Sequence, residues 1–90
     1  LPDDYVNALK AIIQSTENNP YTITSAMTKA EEDGRMDAYY TFEAALAYYT
    51  YTKIMDKPGM ETPIQNLLNN MKDNLEKLSS YTNKYNNDIT

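Results

Sequence analysis

The side chains available for chemistry in this chain are carboxylates and tyrosine hydroxyls, because its 90 residues include neither histidine nor cysteine. This composition removes the usual general base, the usual nucleophile pairs and most transition-metal sites. A carboxylate-bridged metal site in a helical bundle needs Glu-x-x-His pairs that face inward, and Glu43 is the single inward carboxylate that the pattern offers. With two glycines, the chain has no glycine-rich loop for phosphate. The sequence therefore predicts a protein that is not an enzyme, with no metal site and no cofactor.

Tyrosine is concentrated in one segment of the chain. Of nine tyrosines, five lie between residues 36 and 55. These are Tyr39, Tyr40, Tyr48, Tyr49 and Tyr51. Tyrosine is enriched at recognition surfaces, so the rings are candidates for an interface. For any single ring, a belt at the boundary of the core, with the ring packed and the hydroxyl in water, is the better interpretation. Among five such rings in one helix, some are expected at an interface.

The segment that must position these rings is Met36 to Met55, which is apolar on two sides at helical spacing. One stripe consists of Ala38, Phe42, Ala45, Leu46 and Tyr49, and the second of Tyr40, Ala44, Ala47, Tyr51 and Met55. A surface helix needs one stripe, so two stripes predict a buried middle helix with neighbours on both flanks. The small Ala44 and Ala47 predict close packing, by another helix of the chain or by a ligand.

Residues 3–16, residues 21–33 and a segment from residue 62 onward also have apolar residues at helical spacing. Their stripes are Val6, Leu9 and Ile13; Ile23, Ala26, Met27 and Ala30; and Ile64, Leu67, Leu68, Met71, Leu75 and Leu78, which Tyr81 and Tyr85 extend. Thr62 and Pro63 predict the start of the last helix, with Thr62 as N-cap and Pro63 at the first helical position.

Turn signals separate these segments. Asparagine and proline break the helix at residues 17–20, and Lys57-Pro58-Gly59 has turn chemistry. Gly34 supplies the left-handed residue that closes a helix, although one continuous helix through Gly34 is the alternative. Because short connections make consecutive helices antiparallel neighbours, the sequence predicts one all-α domain. Its expected architecture is a small up-and-down bundle of three long helices plus an N-terminal helix.

The net charge of −5 limits the partners. Acidic residues gather at Glu31, Glu32, Asp33 and Asp37, which would repel a phosphate backbone, so nucleic acid is not expected. A basic or modestly charged peptide fits better, although a solvated helix face explains the same charges. No run of about 18 apolar residues is present, so membrane insertion is not expected. Without cysteine or a visible targeting signal, we expect a soluble protein of a reducing compartment, the cytoplasm.

From Met36 to Leu78 the chain resembles the MIT domain, the microtubule-interacting and transport module of ESCRT-disassembling and microtubule-severing ATPases. The second helix of that family has alanine, aromatic and small-Leu-aromatic positions, matched here by Ala38-Tyr39-Tyr40, Phe42, Ala45-Leu46 and Tyr48. Its third helix has a pattern like Tyr-Leu-Asp-Arg-Ala-Glu-Lys-Leu. Residues 71–78 match it with identities at Asp73, Glu76, Lys77 and Leu78, and with Met71 and Asn74 in place of tyrosine and arginine.

Ile23, Ala26 and Met27 resemble the apolar stripe of the first helix in that family. The MIT-like core therefore spans about residues 21–85, and residues 1–19 form an extra N-terminal helix with no counterpart in a three-helix MIT domain.

The resemblance implies a non-catalytic adaptor in protein transport. Such domains bind short C-terminal segments of partners such as ESCRT-III-like proteins, in a groove beside the last helix. Apolar anchors supply affinity and an acidic rim selects a basic residue of the peptide. The implied peptide-binding residues are Tyr48, Leu67, Met71, Asp73, Leu75, Glu76 and Leu78. For the leucines, plain core packing is at least as good an interpretation, and Asp73 also fits a solvated carboxylate.

A second class of function fits the same helices. A free-standing small helical protein, such as a bacterial immunity protein or a secretion chaperone, would neutralise or hold one partner. The ends of the full gene discriminate between the two classes, because a module is embedded in a long protein and an immunity protein starts and ends near these residues.

Overall fold

The protein is all-α in the part of the chain that the structure describes. The computed structural model describes the backbone of residues 1–89 and the side chains of residues 1–80. Its helices are α1 (Asp3–Ser15), α2 (Pro20–Glu32), α3 (Met36–Ile54) and α4 (Glu61–Ile89), and no strand occurs among residues 1–89. The predicted all-α bundle is confirmed, and the predicted starts of the first three helices agree with the structure to within one residue. The predicted packing of Tyr81 and Tyr85 lies outside the described side chains.

α3 is the middle helix of the bundle and contacts α1, α2 and α4. Ala44 and Ala45 are completely buried, and Ala47 is 7% exposed. Small side chains at these positions let the neighbouring helices approach α3 closely, since the distance between packed helices depends on the side chains at the contact. The predicted middle helix with neighbours on both flanks is therefore confirmed.

All four helices contribute to one hydrophobic core. Its buried residues are Leu9 and Ile13 of α1, Ile23 of α2, Ala44, Ala45 and Ala47 of α3, and Met71 of α4. Partly buried side chains of α3 and α4, among them Leu46 and Leu67, pack around this centre. Because Leu9 and Ile23 are fully removed from water, burial of apolar surface holds α1 and α2 on the α3–α4 pair.

The connections between the first three helices depend on left-handed residues. Glu17 and Asn18 have φ values of 57° and 60°, and the Asn19 side chain caps α2 by accepting a hydrogen bond from the Tyr21 N–H at 2.9 Å. Gly34 has φ 72°, and after it the Arg35 N–H donates to the Ala30 oxygen at 2.8 Å, which closes α2. The predicted turn at Gly34 is confirmed, and the continuous helix is excluded.

The start of α4 differs in one detail from the prediction. The Ile64 N–H donates to the Met60 oxygen at 2.9 Å, so Met60 is the residue that precedes the first turn, and the prediction of Thr62 as N-cap was wrong. Pro63 then lies at the third helical position. Proline fits there because the first turn of a helix has no partners for its N–H groups. A threonine–proline pair therefore indicates the first turn of a helix but does not specify which residue is the N-cap.

Candidate functional site

Part of the surface predicted for peptide binding, around Met71 of α4, is covered by α1. The Tyr5 hydroxyl of α1 donates to the backbone oxygen of Met71 at 2.8 Å, and the Met71 side chain is completely buried. Tyr48 lines a groove between α1 and α3, together with Lys10 and Ile13. Helix α1 of the chain itself therefore occupies this flank of the α3–α4 pair.

The other residues implied by the resemblance are divided between different faces. Leu75 and Glu76 line a groove beside the first residues of the chain. Leu67 lines a groove on the opposite flank of α4. Leu78 is partly buried and Asp73 is exposed, and neither lines one of these three grooves. The structure thus brings Leu75 and Glu76 together and separates them from Tyr48 and Leu67.

The groove that contains Leu67 lies between α2, α3 and α4, and we call it the α2–α4 groove. Its volume is about 420 Å³. It is lined by Met27 of α2, by Tyr39, Glu43, Leu46, Ala47 and Thr50 of α3, and by Asn66, Leu67 and Asn70 of α4. Leu46 and Leu67 are only partly buried. They therefore present apolar surface that a ligand can cover.

One hydrogen bond links α4 to α3 at the α2–α4 groove, and two more within α4 adjoin it. Asn70 donates through Nδ2 to Oε1 of Glu43 at 3.3 Å. Asn74 donates through its own Nδ2 to Oδ1 of Asn70 at 2.9 Å and to the Asn70 backbone oxygen at 3.0 Å. Asn74 is only 2% exposed, and its Oδ1 has no hydrogen-bond partner among the described residues. Such a buried oxygen costs about 1–3 kcal/mol of stability.

The electrostatics of the α2–α4 groove are dominated by Glu43. Among the described side chains, an ion pair joins Lys29 and Asp33, and none involves Glu43. The negative charge of Glu43 is the largest cause that raises the pKa of Tyr39 above its usual 10.0, and desolvation, Glu31 and Tyr40 raise it further. No lysine or arginine is among the described lining residues. The groove thus combines apolar surface with a carboxylate that no described lining residue pairs with in an ion pair.

The tyrosines of α3 lie in different environments. Tyr48, Tyr49 and Tyr51 pack against the core, as the boundary-belt interpretation expects. Tyr40 lies under the ammonium of Lys77, with 5.3 Å between Nζ and the ring centroid. Tyr39 lines the α2–α4 groove and is the ring of this group that a groove ligand would meet.

The described residues form neither a cluster of metal ligands nor a helix that could span a membrane. No group of three or more His, Cys, Asp or Glu side chains is placed there to hold a metal ion. Between residues 1 and 89, no helix has the length and apolarity needed to cross a bilayer.

Sequence reasoning missed two residues of this site, Asn70 and Asn74. Asn74 lies three residues after Met71 and four before Leu78, so helical spacing alone places it on the apolar face of α4. A polar residue in that position is the signal that could have found it, and Asn70 follows as its neighbour one turn away. Glu43 had already stood out as the lone inward carboxylate.

No protein-family model, curated protein or solved structure matches the chain. The resemblance to the MIT domain therefore stays a prediction, and a functional proposal depends on the geometry of the grooves.

Proposed function

We propose that the chain is a non-catalytic protein-binding module, which holds a short peptide of a partner protein in the α2–α4 groove. The observation that supports this proposal is the partly exposed apolar surface of Met27, Leu46 and Leu67, contributed by three helices to one groove. Grooves between helices bind amphipathic peptides through apolar anchors spaced by one helical turn. The opposite flank of the α3–α4 pair is occupied by α1, whereas this flank is open.

The partner class follows from charge and from the MIT resemblance. The net charge of −5 favours basic peptides and disfavours nucleic acid. The resemblance implies the C-terminal tails of ESCRT-III-like proteins, so basic tails that contain leucine are the first candidates for the α2–α4 groove. A chain without cysteine suits a reducing compartment, and we place this adaptor in the cytoplasm.

Two threonines of α3 provide a matched test of the groove. Thr50 and Thr52 are both exposed, and each donates its hydroxyl to a backbone oxygen of α3. Thr50 lines the α2–α4 groove, whereas Thr52 lines the groove beside α1. An arginine at position 50 obstructs the proposed site, and an arginine at position 52 obstructs the other one.

The experiment is calorimetric titration of the wild type, Thr50→Arg and Thr52→Arg with synthetic basic tail peptides of ESCRT-III-like proteins. We expect the wild type and Thr52→Arg to bind with similar affinity and Thr50→Arg to bind at least about tenfold more weakly, a loss of about 1.4 kcal/mol. If no tail binds the wild type, the adaptor proposal loses its support. If Thr52→Arg is the weaker binder, the peptide lies beside α1.

A further inference from the structure

We propose that Glu43 and Asn70 form a cation subsite in the α2–α4 groove, which selects partner peptides that carry arginine or lysine about one helical turn from an apolar anchor. This inference rests on the proposed function and names the chemistry by which the same groove recognises its partner. Glu43 is the acceptor, and Asn70 and Asn74 are positioning residues.

The carboxylate of Glu43 is held in place and still has capacity to bind. Asn70 Nδ2 donates to Oε1 at 3.3 Å, and no described side chain donates to Oε2. An ionised carboxylate accepts about four hydrogen bonds. The oxygen atoms of Glu43 can therefore receive an ammonium or a guanidinium without losing the bond from Asn70.

Asn74 fixes the direction in which Asn70 donates. Its Nδ2 donates to Oδ1 of Asn70 at 2.9 Å. If the Asn70 side-chain amide were flipped, its NH2 group would face the NH2 group of Asn74, and neither could accept. At 2% exposure, Asn74 cannot exchange this partner for bulk water. The Asn70 N–H groups are consequently directed away from Asn74, toward Glu43. This arrangement is kept although Oδ1 of Asn74 is buried without a partner among residues 1–80.

The apolar anchor site lies next to the carboxylate. Leu46 is three residues after Glu43 on α3, and Leu67 is three residues before Asn70 on the antiparallel α4. Both leucines therefore lie one turn from the subsite in the same direction along the groove. A helical peptide meets this arrangement with a basic residue and an apolar residue three or four positions apart. Because no basic side chain is among the described lining residues, the cation must come from the partner.

The first experiment selects binders from a phage-displayed library of random peptides of about 16 residues, or about four helical turns. Selections run in parallel on the wild type, on Glu43→Lys and on the control Glu76→Lys, whose exposed side chain lines a different groove. We expect the wild type and the control to enrich arginine or lysine three or four residues from an apolar residue. Glu43→Lys should enrich aspartate or glutamate at that position instead.

The second experiment measures coupling with a peptide selected on the wild type and its basic-to-alanine version. Replacing the basic residue should weaken binding about tenfold with the wild type and less than about twofold with Glu43→Gln, which retains the acceptor for Asn70. Asn70→Ala should weaken binding of the basic peptide but not of the alanine version. A merely structural role for Asn70 would weaken both equally. Thermal melts establish that each variant is folded.

The outcomes distinguish a failure of the cation subsite from a failure of the proposed peptide binding. Selected peptides that need no basic residue, or whose basic residue matters equally for Glu43→Gln, overturn the cation subsite and leave peptide binding intact. If no peptide is enriched on the wild type, both the subsite and the proposed function are wrong.

Discussion

The Leu9→Ala substitution tests how strongly α1 is held on the α3–α4 pair. The Leu9 side chain is 0% exposed and belongs to the core. Each buried carbon atom that is removed costs about 0.8 kcal/mol in transfer free energy, or about 2.4 kcal/mol for leucine to alanine. The cavity that remains adds to this, so we expect a total loss of about 2.7–5 kcal/mol. Domains of this size have a free energy of unfolding of about 5–15 kcal/mol. The expected loss is therefore a large fraction of the total stability.

The assay is urea unfolding, followed by far-ultraviolet circular dichroism. Leu1→Ala is the matched control, because Leu1 is 50% exposed and a surface substitution changes stability by less than about 0.5 kcal/mol. We expect a clear fall in the urea midpoint for Leu9→Ala at an unchanged slope. Equal midpoints for the two variants would refute the reasoning, because α1 would then not be part of the core and would not cover Met71.

Three further predictions concern polar residues. Asn74→Leu removes the buried oxygen that has no partner among the described residues, a gain of about 1–3 kcal/mol, and also the two hydrogen bonds donated to Asn70, each worth about 1 kcal/mol. The free energy of unfolding should therefore change by less than about 1 kcal/mol, while binding of a basic peptide weakens; calorimetry that shows equal affinity for this variant and the wild type would contradict this. Burial raises the pKa of Tyr5 from 10.0 to about 12. As the pH rises, the Tyr5 hydroxyl therefore ionises in the unfolded state at a lower pH than in the folded state. The free energy of unfolding should therefore fall between about pH 10 and 12. Urea unfolding of Tyr5→Phe across that range should show a smaller fall than the wild type. Asp73→Lys should leave the melting temperature and the peptide affinity unchanged. If the peptide were bound at the site implied by the MIT resemblance, calorimetry would instead show weaker binding by this variant.

The helices of this chain are predictable because their signals are local. Gly34 closes α2 through a backbone conformation that the residue type alone favours, and the alanines of α3 mark a helix with close neighbours. Thr62 shows the limit of such signals. A proline fits several positions of a first turn equally well, so sequence alone does not fix which residue is the cap.

The arrangement of the helices around the grooves was beyond the reach of sequence. The stripe of Leu9 and Ile13 shows that α1 packs, but an apolar stripe does not specify the helix that receives it. The flank of α4 that contains Met71 therefore looked available as a groove, and in the structure α1 covers it. Helical spacing places Asn74 on the apolar face of α4, but its hydrogen bonds to Asn70 depend on side-chain conformations that the sequence does not specify.

The central claim, that the α2–α4 groove binds the peptide, is tested most directly by nuclear magnetic resonance of methyl-labelled protein. A peptide selected on the wild type is titrated into the protein, and methyl shifts are followed. We expect the largest changes at Met27, Leu46 and Leu67, with little change at Leu9 and Leu75. The largest changes at Leu75, or at Leu9 of α1, would contradict the claim and place the peptide outside the α2–α4 groove.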